Sequence, residues 1–442
     1  MPNPYLPLWE YIPDGEPKVF GNRVYVYGSH DRAAADTFCD YRLKVWSAPL
    51  DDLNHWVCHG TCFQTRANRE HPSDTPWTDH SLFAPDVCEK NGRYYLYAYI
   101  VGAYGCVAVA DRPEGPFRLL GQYQVPVSEL KHGDDMRERI FIDPGVLVDD
   151  DGRTYVYCGF IHSFMCELEE DMRTVKPDTY QRDIIPEEEP YLFFEACSPI
   201  RIGDTYYLIY SPKCGSQLVY ATSDSPTGPF RYRGVIVDNG VDYPGGNNHG
   251  CICKVGGQWY IFYHRMTNGT CMSRRGCVER IDILPDGTIP QVEMTSLGFQ
   301  QSLNPYEQTP AELACVLKGG CCIVERNAMM RPVVDIKPGC VIGYRYFDFG
   351  EDDSGTGMNL LLRVRGLGQR SRVHVRLDGE DGEEIGCADI GLDDGFVSVR
   401  TPCVTGRHAV YFTFELAREE SWIRHAFENR NLLELEGFVF MK

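Results

Sequence analysis

"IRIGDTYYLIYSP", residues 200–212, is a short strand, a Gly203-Asp204 dipeptide and a second strand rich in tyrosine and β-branched residues. A two-residue hairpin turn demands positive φ, which glycine supplies, so the stretch reads as an antiparallel hairpin. The same grammar returns four times, in "VFGNRVYVYGSHD" (19–31), "EKNGRYYLYAYI" (89–100), "VDDDGRTYVYCGF" (148–160) and "CKVGGQWYIFYHR" (253–265). The turns Gly21-Asn22, Asn91-Gly92, Asp151-Gly152, Gly203-Asp204 and Gly256-Gly257 follow one another at intervals of 52 to 70 residues. That interval is the length of a four-stranded propeller blade with variable loops.

Outer strands follow each hairpin, most visibly in the twin segments "VAVADRPEGPFRLLG" (107–121) and "VYATSDSPTGPFRYRG" (219–234). Residues 1–300 are therefore expected to form a five-bladed β-propeller. Past "NPYEQTP" (304–310) the repeat stops and short alternating strands take over, among them "NLLLRVRGLG" and "RVHVRLDG". This pattern predicts a β-sandwich over 316–442, joined through a linker at 301–315. The fold class is all-β.

The 442 residues carry a formal net charge of −20, and no cluster of lysines or arginines offsets it locally. Such a chain repels phosphate backbones and anionic bilayers, so neither nucleic acid nor a membrane is the expected partner. A small or neutral ligand is. No apolar run reaches the ~18 residues that span a bilayer. The first residues, MPNPYLPLWEYIPDGEP, lack a basic-then-apolar leader, and a cytoplasmic location is expected. The 19 cysteines are odd in number, scattered through strand-like runs and without paired C-x-x-C elements, which favours free buried thiols over disulfides or zinc.

Five to eight residues before each turn stands one polar residue in a Pro- or Gly-marked context: Asp14, Asp86, Asp143, Glu195 and His249. The first strand of each propeller blade lines the central channel, so five blades would aim four carboxyls and a histidine at one axis. Singly, each has a plain structural reading: Asp86 and Asp143 as turn acids, Asp14 as a cap, Glu195 as the partner of Arg201, His249 as a hydrogen-bonded core residue. As five equivalent positions they suggest a site. Burial beside Phe193 and Phe194 would raise the pKa of Glu195 and keep it protonated, as a general acid requires. A glycosidase needs two carboxyls in opposite protonation states, and crowded carboxyls supply them.

Together Asn3-Pro4, "FAPDV-EKNGRYYLYA", "FIDPGVLVDDDGRTYVYCG", "FFEACSPIRIGDTYYLIYS" and "GNNHGCICKVGGQWYIFYHR" resemble glycoside hydrolase family 43 over roughly residues 1–300. The resemblance implies an inverting hydrolase of α-L-arabinofuranosides, β-D-xylosides, arabinans or some galactans; exo action on small plant oligosaccharides, the expected partners, is the reading adopted beside it. It casts Asp14 as general base, Glu195 as general acid and Asp143 as the residue that tunes and orients the acid. Inversion implies base and acid carboxyls roughly 6.5–9.5 Å apart. Glu16, in Asp14-Gly15-Glu16-Pro17, is a rival base. Substrate contacts are expected from Asp86, Phe83, Phe194, His249 and Arg275, with Arg274 beside it as the alternative and Trp9 as a further aromatic. His30-Asp31 and His264-Arg265 are read as packing or supporting groups. No cofactor is required, although a calcium or sodium ion, or water, in the channel at His249 is compatible with the resemblance. The tail is similar to jelly-roll carbohydrate-binding modules of family six, without their usual terminal aromatic. A noncatalytic sugar- or protein-binding propeller is the competing reading. A retaining fructosidase would need an Asn-Asp-Pro-Asn start, which is missing.

Overall fold

Four of the five hairpins close with two-residue turns, in the registers Phe20↔Arg23, Lys90↔Arg93, Ile202↔Thr205 and Val255↔Gln258. Asn91 and Gly92 have φ of 55° and 75°, and Gly256 and Gly257 57° and 90°, as the tight turn demands. The third hairpin differs. Its strands are held at Val148↔Thr154, so the loop runs over 149–153 and only Gly152 (φ 82°) is left-handed. The Asp149 carboxylate is drawn out of that loop, accepting 2.6 Å hydrogen bonds from Arg201 and from the Tyr206 hydroxyl.

The computed structural model describes residues 1–103, 105–126, 141–351, 355–417, 426 and 429–442. Four hairpins grow into four-stranded antiparallel sheets in sequence order, and the fifth into a sheet of Cys251–Val255, Gln258–Thr267 and Thr270–Ile281. The five inner strands are Glu16–Phe20, Leu82–Lys90, Gly145–Val148, Phe193–Ile202 and Cys251–Val255. Each touches the next and the last touches the first, which makes a closed five-bladed propeller. Its closure comes from the N-terminus. Asn3 exchanges two hydrogen bonds with the backbone of Val278 (2.8 and 2.9 Å) and Tyr5 N–H donates to the Gly276 carbonyl (3.3 Å), so residues 3–5 cover the outer edge of the last blade. The inner strands approach closely: a Cβ on Gly145 would lie 2.2 Å from the carbonyl oxygen of Cys197, so only glycine fits.

Past residue 300 two sheets face each other. One holds Cys322–Ile323, Val333–Ile336, Leu433–Met441, Met358–Gly366 and Phe396–Thr401, and the other Val316–Lys318, Val341–Asp348, Arg407–Leu416, Ser371–Leu377 and Glu384–Ile390. Burial alternates along Met358–Gly366 and Phe396–Thr401, as a sandwich requires. The segment expected as a linker is part of this structure: Thr309–Pro310 pairs with Leu433–Met441, and Ala311–Leu313 forms a buried 3₁₀ turn. The sandwich core runs without a break into the last two blades, with Tyr207, Ile261, Tyr263, Leu317 and Phe347 in one cluster. Among the described residues no cysteine is in a disulfide, and most of the 19 are buried.

Candidate active site

The propeller axis opens at one end into a cavity of about 380 Å³. Asp14, Asp143, Glu195, Asn247, His249 and Arg274 form its polar floor, and Phe38, Phe83, Tyr99, Phe160 and Phe194 its aromatic wall. A larger cleft of about 570 Å³ on the outer face has only exposed acids, such as Asp224 and Asp286, and no buried carboxyls.

Three floor residues sit where the chain turns into an inner strand, in left-handed backbone: Asp14 (φ 55°), Asp143 (φ 48°) and Asn247 (φ 45°). Aspartate and asparagine tolerate this region better than other side chains, and such strain gathers at functional sites. Glu195 lies on the strand Phe193–Ile202, whose register shifts on both sides of it, and the following residue, Ala196, has φ 66°. The bulge re-aims the carboxyl into the funnel.

The carboxyls differ in surroundings. Asp14 is buried, yet its Oδ1 accepts a 2.8 Å hydrogen bond from Arg274 and its Oδ2 a 2.6 Å bond from the Ser29 hydroxyl. Burial would raise its pKa, but Arg274 and His249 outweigh it and hold Asp14 below the usual carboxylate range. Glu195 has the opposite balance: burial, then the nearby charge of Asp143, lift it to about 8 against the pull of His249 and Arg274. Asp143 lies between, pushed to about 6 by burial and Asp14 and restrained by His249. Asp14 is thus ionised at neutral pH while Glu195 carries a proton.

Asn247 links them. Its Nδ2 donates to Glu195 Oε1 (3.2 Å) and its Oδ1 accepts from Arg274 (2.6 Å), while the same guanidinium nitrogen reaches Asp14. Arg274 is fixed from behind by Asp31, which accepts from its Nε (2.8 Å), and by the Phe38 ring 5.1 Å away. His264 supports Asp14 differently. Burial and Arg274 lower it to about 3, so it is neutral, with Nδ1 accepting the Asp14 N–H (3.3 Å) and Nε2 donating to the Asn247 carbonyl. His249 stands 3.9 Å from Asp14, 4.0 Å from Asp143 and 3.8 Å from Glu16. Burial opposes its charge, but these three acids prevail and lift it to about 9.

The sequence-derived candidates divide accordingly. Asp14, Asp143, Glu195, His249, Phe83 and Phe194 meet in one cavity. Asp86 does not: it is fully buried below the floor, 2.8 Å from Lys18 Nζ, and cannot reach substrate. Glu16 is also beneath the floor, on the far side of His249, out of reach of a water attacking sugar in the cavity. Trp9 is half exposed and lies against Trp46. Arg275 is a correction as well. Neighbours on a strand face opposite sides, so when Arg274 enters the cavity Arg275 turns away, donating to the Leu8 carbonyl and to Glu312 Oε2 (3.1 Å each) at the sandwich. Sequence reasoning missed Asn247, Phe38, Tyr99 and Phe160. Asn247 alone left a signal, two residues before His249 in "GNNHGC".

A closed propeller with a funnel that holds one carboxyl protonated and another ionised defines a glycoside hydrolase. The model of glycosyl hydrolases family 43 matches residues 8–289, and the chain belongs to that family. It is 38% identical to a xylosidase/arabinosidase of Thermoclostridium stercorarium, covering 93% of this chain and 95% of that one. A family 43 arabinoxylan arabinofuranohydrolase from Bacillus subtilis, solved with cellotetraose, superposes with a TM-score of 0.56 at 23% identity, covering 100% of this chain and 97% of its own, and shows the shared fold. A β-xylosidase/α-arabinofuranosidase from a compost microbial metagenome, solved with xylotriose in a calcium-free form, superposes with a TM-score of 0.54 at 27% identity over 66% of this chain and 99% of its own.

Proposed function

We propose that this chain is an inverting, exo-acting glycosidase that releases terminal α-L-arabinofuranosyl or β-D-xylosyl units from plant oligosaccharides. The carrying observation is the opposed protonation of Asp14 and Glu195 on the floor of one cavity. Glu195 donates its proton to the departing glycosidic oxygen. Asp14, anionic and aimed by Arg274 and Ser29, removes a proton from the water that attacks the anomeric carbon from the opposite face. Asp143 keeps Glu195 protonated through its charge, and Arg274 holds Asp14 and Asn247 in place. About 380 Å³ is at the small end of ligand pockets, which suits one terminal sugar held between the aromatic side walls. The names of the relatives support a pentose.

A panel of 4-nitrophenyl α-L-arabinofuranoside, β-D-xyloside and β-D-galactoside tests the substrate class. Either pentoside should turn over at least tenfold faster than the galactoside. Equal rates, or none, would remove the pentose assignment.

The acid's pKa gives a second test. Rate should be lost as pH rises through about 8, where Glu195 gives up its proton. An anionic neighbour makes a second ionisation harder, so Asp143→Asn should lower the Glu195 pKa and move the alkaline limb of kcat/KM to lower pH. A limb that stays put or moves upward would contradict the tuning role.

A further inference from the structure

Below the catalytic floor Glu16, Lys18, Asp86 and Ser198 meet. Glu16 and Lys18 are two residues apart on the strand Glu16–Phe20, so alternation aims both at the axis beneath Asp14. Lys18 enters the channel from the far mouth, its side chain 20% exposed, and its Nζ lies 2.8 Å from Asp86 Oδ1 and 3.6 Å from Glu16 Oε2. The other oxygens are committed too. Asp86 Oδ1 and Oδ2 accept from the N–H groups of Val87 (2.6 Å) and Val146 (2.7 Å), and Glu16 Oε2 accepts from the Ser198 hydroxyl (3.1 Å). Glu16 Oε1 alone is left without a hydrogen-bond partner, facing His249.

A calcium ion takes six to eight oxygen ligands. This channel offers one uncommitted carboxylate oxygen and sets an ammonium where an ion's charge would fall. The residues do not fit a divalent metal.

We propose that Lys18 is the channel's own cation, a positioning residue that does the work of a bound metal ion. Its ammonium bridges Glu16 and Asp86, and with the His249 imidazolium beside Glu16 it balances their two charges. Through them it ties the first inner strand to the second, to Val146 just past Asp143, and to Ser198 just past Glu195. It thereby fixes the strand ends that carry the three acids. This enzyme is then indifferent to calcium and to chelators.

Metal content and thermal melting of the full chain test this, with calcium chloride as the probe and no reliance on the sugar substrate. After passage over chelating resin the wild type should hold far less than one calcium per chain, and its Tm should not move with millimolar calcium chloride or EDTA. Lys18→Ala leaves the buried Asp86 without a cation and Glu16 with His249 alone, and should lower Tm by roughly 5–10 °C. Calcium should restore at least half of that loss. Lys18→Arg, which keeps the charge, should remain indifferent to calcium. A wild type or Lys18→Arg enzyme that binds one calcium per chain or is stabilised by it overturns the proposal, even where Lys18→Ala does not fold. So does a folded Lys18→Ala that ignores calcium.

Discussion

Replacing Glu195 by glutamine is expected to lower kcat/KM on natural arabino- or xylo-oligosaccharides at least a hundredfold, about 2.7 kcal/mol of transition-state stabilisation. The substitution is isosteric. The glutamine carbonyl accepts from Asn247 as Glu195 Oε1 does, and the amide nitrogen takes the other oxygen's place, but it has no proton acidic enough to give. The loss should depend on the leaving group. A 2,4-dinitrophenyl glycoside departs without help, so Glu195→Gln should cost it tenfold or less. Melting should change little, because a side chain already uncharged at neutral pH is replaced by another uncharged one. An equal loss on both substrates would mean that Glu195 binds or orients instead of donating a proton.

The residues that were legible in the sequence are those whose position follows from the repeat. Turn dipeptides with obligatory positive φ mark five hairpins, and counting back from each finds the start of an inner strand, so Asp14, Asp143 and Glu195 could be placed on one axis before any contact was known. The same count misplaced Asp86. Its level in the channel is set by Lys18, on another blade, and a pairing across blades leaves no local signature. Arg274 and Arg275 show a second limit. Which of two adjacent strand residues faces the funnel depends on registration, and the pairing of Thr270–Ile281 with Gln258–Thr267 shifts at Met266 and Thr267, beyond the reach of any period-two count. Three members of the aromatic wall were missed for a third reason. Phe38 lies in a loop, Tyr99 and Phe160 near strand ends, and their neighbours are fixed by how blades lean on one another. In the third hairpin Asp-Gly suggested a two-residue turn, and a longer one forms, closed by the Gly152 N–H donating to the Asp149 carbonyl (2.9 Å).

Asp14→Asn should lower kcat/KM at least a hundredfold on natural and dinitrophenyl glycosides alike. Water must be deprotonated whatever group leaves, and an amide cannot do it at any pH. The fold has reason to survive: Arg274 keeps Asp31 at 2.8 Å and Asn247 at 2.6 Å, and the backbone N–H of residue 14 can still donate to His264. The residual activity carries further information. Asp14 contributes negative charge that raises both Asp143 and Glu195. Removing it should therefore move the alkaline limb of that residual activity to lower pH, in the same direction as Asp143→Asn. A base acting in isolation from the acid would leave that limb where it was. An Asp14→Asn enzyme with a normal rate on the dinitrophenyl substrate would show that some other group activates the water, and the assignment of opposed roles to the two carboxyls would fail with it.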